Sequence, residues 1–180
     1  MALRGYIEQG LLIDFEGGAI LMRHYDEEKE LWFSNAAPNL CPKREYPKLV
    51  LQDDIIKAKM KRQNKIDAVL ELDMAYLNKG ISDKKYDRPM NAKLILLVDN
   101  VSGAVVGQEI LAPDKDQVQA ILNIFINFIM QYGKMNKICV RNPYIISIIE
   151  DLCKECDITI KKSKKLKALD MFLYEFRGHL

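Results

Sequence analysis

The sequence predicts an α/β domain with a mixed five-stranded sheet over residues 66–180, preceded by a small β-rich module over residues 1–65 that ends in a charged helix. Three observations predict it. Two apolar runs, Leu94–Val98 and Ala104–Leu111, are joined by Asp99-Asn100-Val101-Ser102-Gly103, whose Asn, Ser and Gly tolerate the φ > 0 positions of a tight hairpin connection. Just before them, Leu70, Leu72, Met74 and Tyr76 alternate with Glu71, Asp73 and Ala75, the period of two of a strand with one buried face. After them, short apolar strands alternate with helical stretches, so the order from residue 66 is β-β-β-α-β-α-β-α. Three strands joined antiparallel then feed helix-linked strands that must run parallel, because a crossover helix returns the chain to the same end of the sheet.

Bulk composition narrows the classes. A chain of 180 residues holds one large domain, or a domain with a smaller module attached. Its 49% apolar and 29% charged residues are those of an ordinary globular protein. Lys+Arg 27 against Asp+Glu 25 excludes a surface that is wholly a nucleic-acid footprint and leaves room for a local patch. Arg4, Glu8, Asp14 and Glu16 interrupt the first residues, so no secretory signal is expected. No apolar run of about 18 residues suggests a membrane span. The expected compartment is the cytoplasm, with Cys41, Cys139, Cys153 and Cys156 as free thiols.

Taken in order, Leu11–Phe15 and Ala19–Tyr25 read as a hairpin about Glu16-Gly17-Gly18. A charged turn, Asp26–Glu30, and a third short strand, Leu31–Phe33, follow. Pro38, Pro42 and Pro47 mark a loop over 35–47. Val50–Asn64 has helical character, with Asp53 and Asp54 early and four basic residues late, which complements a helix dipole. Ile66–Leu77 is the alternating strand, and Asn78–Met90, with Gly80 and Pro89, is a loop before the central hairpin.

Asp116 is placed to cap the next helix and Gly133 to stop it. Between them Gln117–Tyr132 carries no charge; Gln119, Asn123, Asn127 and Gln131 form one ridge and the rest is apolar nearly all round. Such a helix belongs in a core or at a homodimer face, and the core is the more general case. Lys137–Val140 is a short strand. Asn142-Pro143 starts a helix, with Asn capping and Pro in the first turn. That helix is Tyr144–Cys156, with Ile145, Ile148, Ile149 and Leu152 on one side. Ile158–Ile160 is a strand and Leu166–Phe176 a last amphipathic helix.

Three motifs bear on chemistry: Glu71-Leu72-Asp73-Met74 on the first sheet strand, the hairpin Val98-Asp99-Asn100-Val101-Ser102-Gly103-Ala104-Val105-Val106-Gly107, and Cys139-Val140-Arg141-Asn142-Pro143-Tyr144. With the strand order of an RNase H-like fold, they make residues 66–176 resemble the catalytic cores of transposases and retroviral-type integrases. The resemblance implies phosphodiester chemistry on Mg²⁺ or Mn²⁺ held by two or three carboxylates. Asp73 stands at the first acid and Asn142 beside the second. Asp170 or Glu175 on the last helix is available as the third. The pattern breaks at the second acid, where Arg141 and Asn142 stand. A cation and a neutral amide do not replace a bridging carboxylate in a hard, oxygen-ligand site. Read without the resemblance, Asp73 lies on the solvated face of its strand, Asn142 is a plain N-cap and Asp99 a turn residue. A looser similarity, carried by Arg88-Pro89 and by Gly133 through Ile138-Cys139-Val140-Arg141, is to uncharacterised bacterial domains. It implies no known activity.

Other features have plainer readings. Cys153-Lys154-Glu155-Cys156 falls late in a helix, whereas redox pairs sit at a helix N-terminus. His24 and His179 lack partner spacing for zinc. Lys161, Lys162, Lys164, Lys165 and Lys167 would meet a phosphate backbone, or lie in a solvated loop; no aromatic among them could stack a base. No phosphate-loop, dinucleotide, serine-elbow or zincin motif occurs.

The expectation is a non-catalytic, cytoplasmic binding or scaffold domain with a degenerate RNase H-like fold and no cofactor. The alternatives are a Mg²⁺- or Mn²⁺-dependent nuclease or polynucleotidyl transferase using Asp73, Asp170 or Glu175, and nucleic-acid binding without chemistry through the lysine cluster. A protein partner, or a homodimer through residues 117–132, is the expected kind of contact, and no membrane is.

Overall fold

The computed structural model describes residues 7, 10–16, 18–39, 45–82, 84–85 and 87–178. The chain divides into two compact units, Met1–Glu45 and Tyr46–Leu180.

The first unit is built on one antiparallel hairpin, β1 (Ala19–Asp26) and β2 (Leu31–Pro38), in register from Ala19 opposite Pro38 to Asp26 opposite Leu31. This corrects the expected pairing of Leu11–Phe15 with Ala19–Tyr25: Leu11–Phe15 is not a strand. The reversal is made by Asp26, whose Oδ1 accepts hydrogen bonds from the Glu28 and Lys29 N–H groups at 3.1 Å each. Glu30 takes the left-handed conformation at φ +52°. An Asp side chain that folds back on the next backbone amides makes a turn without glycine.

In the second unit, α1 (Asp54–Arg62) is capped by Asp53, which accepts from the Ile55 and Ile56 N–H groups. Although read from sequence as the end of the first module, α1 buries Met60 completely in the core of this unit. The sheet follows: β3 (Lys65–Ile81), β4 (Met90–Asp99), β5 (Val105–Leu111), β6 (Lys134–Val140) and β7 (Thr159–Lys162), in spatial order β5-β4-β3-β6-β7. β4 pairs antiparallel with both β3 and β5, while β6 pairs parallel with both β3 and β7. That is the mixed five-stranded sheet in RNase H-like order. β3 is longer than expected and its pairing with β4 shifts between Tyr76 and Gly80.

Three helices link and flank the strands: α2 (Gln117–Tyr132), α3 (Pro143–Glu155) and α4 (Lys167–Gly178). α2 and α3 cover one face, packing Phe125, Ile121, Ile145 and Ile149 against Leu70, Leu72, Ile95 and Leu97. α4 covers the other, setting Leu166, Leu169 and Leu173 against Leu94, Leu96 and Val98. β4 is therefore buried on both faces from Leu94 to Val98, which is why it reads as an unbroken apolar run.

The caps fall where residue chemistry puts them. Asp116 Oδ1 accepts from Val118 N–H at 2.8 Å and Gln119 N–H at 3.3 Å. Gly133 ends α2 at φ +114°, and a Cβ there would stand 2.6 Å from the Asn64 carbonyl oxygen, so only glycine fits. Asp99 is a turn residue: its Oδ2 accepts from the Ser102 N–H and hydroxyl at 2.8 and 2.6 Å. α2 buries one side in the core and exposes Gln119, Asn123, Asn127 and Gln131. No helix among the described residues is long and apolar enough to cross a membrane.

Candidate functional site

The α4-facing side of β3 carries two carboxylates where apolar residues would be ordinary. Glu71 and Asp73, two residues apart, share that side, and they are 2% and 5% exposed. The expectation that Asp73 lies on a solvated face is thus corrected: α4 covers this side of β3. Buried carboxylates need partners, and both have them. Glu71 Oε1 accepts from Asn100 Nδ2 at 2.5 Å, and its Oε2 accepts from the Leu169 N–H at 2.9 Å. One side chain thereby ties the central hairpin tip to β3 and α4.

Asp73 is held by Arg141. Parallel pairing sets Leu72 beside Val140, so the residue that follows β6 lies next to Asp73, midway along β3. Arg141 Nε donates to Asp73 Oδ2 at 2.5 Å, and its Nη1 pairs with Asp170 Oδ1 at 2.7 Å. Asp170 Oδ2 in turn accepts from the Leu166 N–H at 3.1 Å, at the start of α4. A planar guanidinium with donors on two edges suits such a bridge better than an ammonium would. Burial pushes the Asp73 carboxyl above its usual range, against the Met74 N–H and the guanidinium, which pull it down. For Arg141, burial lowers the pKa, but the bonds to Asp73 and Asp170 outweigh it and the net direction is up. The guanidinium is therefore a permanent cation between two carboxylates.

These donors do not fit a divalent metal. Such an ion needs several oxygens free to converge on it. Here the carboxylates of Asp73 and Asp170 point at Arg141, both Glu71 oxygens accept N–H groups, and Asn142 Oδ1 accepts from the Tyr144 N–H at 3.0 Å as the cap of α3. Among the described residues, no group of three or more His, Cys, Asp or Glu side chains is arranged to hold a metal. Of the four acid-site candidates, the structure brings Asp73 and Asp170 together. Asn142 is spent on its helix, and Glu175 is exposed five residues beyond Asp170. Glu71 and Asn100 were not singled out from sequence. The available signal was that Glu71 and Asp73 must share a strand face, so that whatever covers one covers the other.

The five lysines are exposed, but Lys161 and Lys162 lie in the edge strand β7, opposite Cys139 and Val140, rather than in a loop. The Cys153 and Cys156 thiols are 1% and 2% exposed and burial pushes both up, as it does Cys139. His24 stacks on Phe33 within the hairpin, 5.9 Å between centroids. Cys41 and His179 lie outside the described residues.

No curated protein matches the sequence. Among solved structures, the chain is similar to the catalytic core domain of BIV integrase, with 16% identity over 63% of this chain and 65% of that one and a TM-score of 0.43. It thus spans just under two thirds of the BIV domain. It is also similar to the HTLV-2 integrase catalytic core domain (18% identity, 65% and 71% covered, TM-score 0.45) and to Mos1 transposase in its paired-end complex (11% identity, 76% and 58% covered, TM-score 0.37). The RNase H-like assignment rests on the order and direction of the strands themselves. A family model described as a domain of unknown function, DUF6930, matches residues 56–177, from within α1 to the end of α4, and the chain belongs to that family.

Proposed function

We propose that the Tyr46–Leu180 unit is a non-catalytic binding or scaffold domain, an RNase H-like sheet whose acid cluster is closed by an internal arginine. The observation that carries this reading is the Asp73–Arg141–Asp170 bridge. A nuclease of this architecture needs its carboxylates turned toward metal ions that clamp the attacking and leaving oxygens. Here the corresponding charge is supplied by a side chain that has no vacant coordination position. The reading also places the protein in a reducing cytoplasm, which suits three buried free thiols.

The test uses the full chain with Mg²⁺ or Mn²⁺ and single- or double-stranded polynucleotides. Substrates are expected to stay intact, and calorimetry with Mn²⁺ is expected to show no saturable binding. Cleavage that Asp73→Asn abolishes would overturn the reading and restore the nuclease or polynucleotidyl transferase alternative.

A second reading, nucleic-acid binding without chemistry, is favoured by one observation: Lys161, Lys162, Lys164, Lys165 and Lys167 are all exposed, and none forms an ion pair among the described residues. It predicts affinity that falls linearly with log salt and a shallower slope after Lys→Ala changes. No binding at low salt ends it.

A further inference from the structure

The two edges of the sheet differ. β7, at one edge, exposes Lys161 and Lys162, and charged side chains of this kind keep an edge from pairing with another chain. β5, at the other, reads Val-Val-Gly-Gln-Glu-Ile-Leu, with no Lys, Arg or Pro. It leaves Ile110 57% exposed, opposite Leu94 on the α4 side of the sheet. Beside it runs α2. Ile124 of α2 lies over Gly107 of β5, where a Cβ would stand 3.0 Å from its Cγ2. Asn123 and Asn127 adjoin Ile124 on the helix surface and are exposed, and Gln119 continues the same ridge, bonded to Asn123 Oδ1 at 2.7 Å. The edge strand is thus flanked by the uncharged amide ridge on the α2 side of the sheet, while Ile110, opposite Leu94, is exposed on the other side.

We propose that this surface takes a second copy of the chain, β5 pairing antiparallel with β5 to continue the sheet across a two-fold axis. The chemistry selects that occupant. α2 carries no charged residue, so it offers no ionic complement to a different protein. Amide side chains present both donors and acceptors, and so complement a copy of themselves. A two-fold contact needs such self-complementarity. Register is selected as well. Centring the pair on Gln108 sets Glu109 against Gly107 and Ile110 against Val106. Centring it on Glu109 opposes two like charges, which is unfavourable. The first arrangement sets a partner strand beside the exposed Ile110 and leaves the two copies of β7, with their lysines, as the edges of the joined sheet. This holds whether or not the acid cluster is catalytic.

Sedimentation of the full chain across micromolar to millimolar concentration tests it. The expected result is a monomer–dimer equilibrium that Ile110→Lys and Asn123→Glu each weaken at least about tenfold. Lys162→Ala, on the other edge, should leave it unchanged. Both positions chosen for disruption are exposed, and circular dichroism confirms that each variant is folded. Backbone amides of residues 105–111 should gain hydrogen-exchange protection as concentration rises. A monomer at every concentration overturns the proposal, including the case in which β5 accepts a strand from another protein. So does a dimer indifferent to both variants, or one that Lys162→Ala weakens.

Discussion

The two faces of the central sheet are held by different physics. Toward α2 and α3 the contacts are apolar throughout: Phe125, Ile121, Ile129 and Ile149 fill the space over Leu70, Leu72 and Ile138 with no charged group among them. Toward α4 the apolar cluster is smaller, and Glu71 and Asp73 sit at its border, tied to Asn100, the Leu169 N–H, Arg141 and, through it, Asp170. The first face gains stability from area and close packing, which tolerate exchange of one hydrophobe for another. The second depends on particular partners, because a carboxylate taken from water and left unpaired is costly. α4 is thus held by particular polar bonds as well as by its apolar contacts.

Four measurements would break or sharpen that contrast. The largest effect should come from the apolar face: Phe125→Ala leaves a cavity at a fully buried position and should cost about 3–5 kcal/mol in urea unfolding. On the polar face, Arg141→Ala strands a buried Asp73. Since the arginine side chain is 31% exposed, the loss should fall at or below the low end for buried pairs, about 2–3 kcal/mol. Replacing both partners together, as Asp73→Leu with Arg141→Met, should recover most of that. If the double variant is as unstable as the single, the bridge is not the reason for the loss.

The third measurement is a pH series. Burial holds the folded Asp73 pKa above its unfolded value, so its contribution to stability is full below that unfolded value and is lost as pH rises through the folded one. Arg141→Met removes a group that pulls this pKa down. The deficit of the variant relative to the natural chain should therefore widen from pH 4 to pH 7. A deficit constant with pH would mean that Asp73 is not the stranded charge. The smallest effect is local: Asn142→Ala removes the cap of α3 and should cost about 1 kcal/mol, without altering the Arg141 bridge.

What could be read from the sequence follows the range of each cause. Asp116, Gly133 and Asn142 act within a few residues of themselves, and the helix ends they predict are the ones found. The order of strands also came through, since each apolar run and each crossover is a local pattern. The burial of Glu71 and Asp73 was not legible. Alternation tells which residues share a side of β3, but whether a helix about 100 residues later covers that side is a tertiary fact. Arg141 was visible only as an obstacle to a metal site; that it reaches Asp73 depends on the parallel register of β6 beside β3. In the first unit, the charged turn Asp26–Glu30 and the strand after it were legible, and the Asp26 side chain makes that turn; the further strand expected at Leu11–Phe15 is not one.

The buried cysteines turn the comparison of faces into something a reagent can read. Cys139 belongs to the α4 side of the sheet, while Cys153 and Cys156 belong to the α3 side. All three are nearly inaccessible, and burial keeps them in the thiol form. An alkylating reagent can therefore reach them only during opening, and its rate at each site reports how often that part of the core parts from the sheet. If α4 is latched by Arg141, loosening the latch should hasten the labelling of Cys139 while Cys153 keeps its pace. The protein carries a separate clock for each of its two layers.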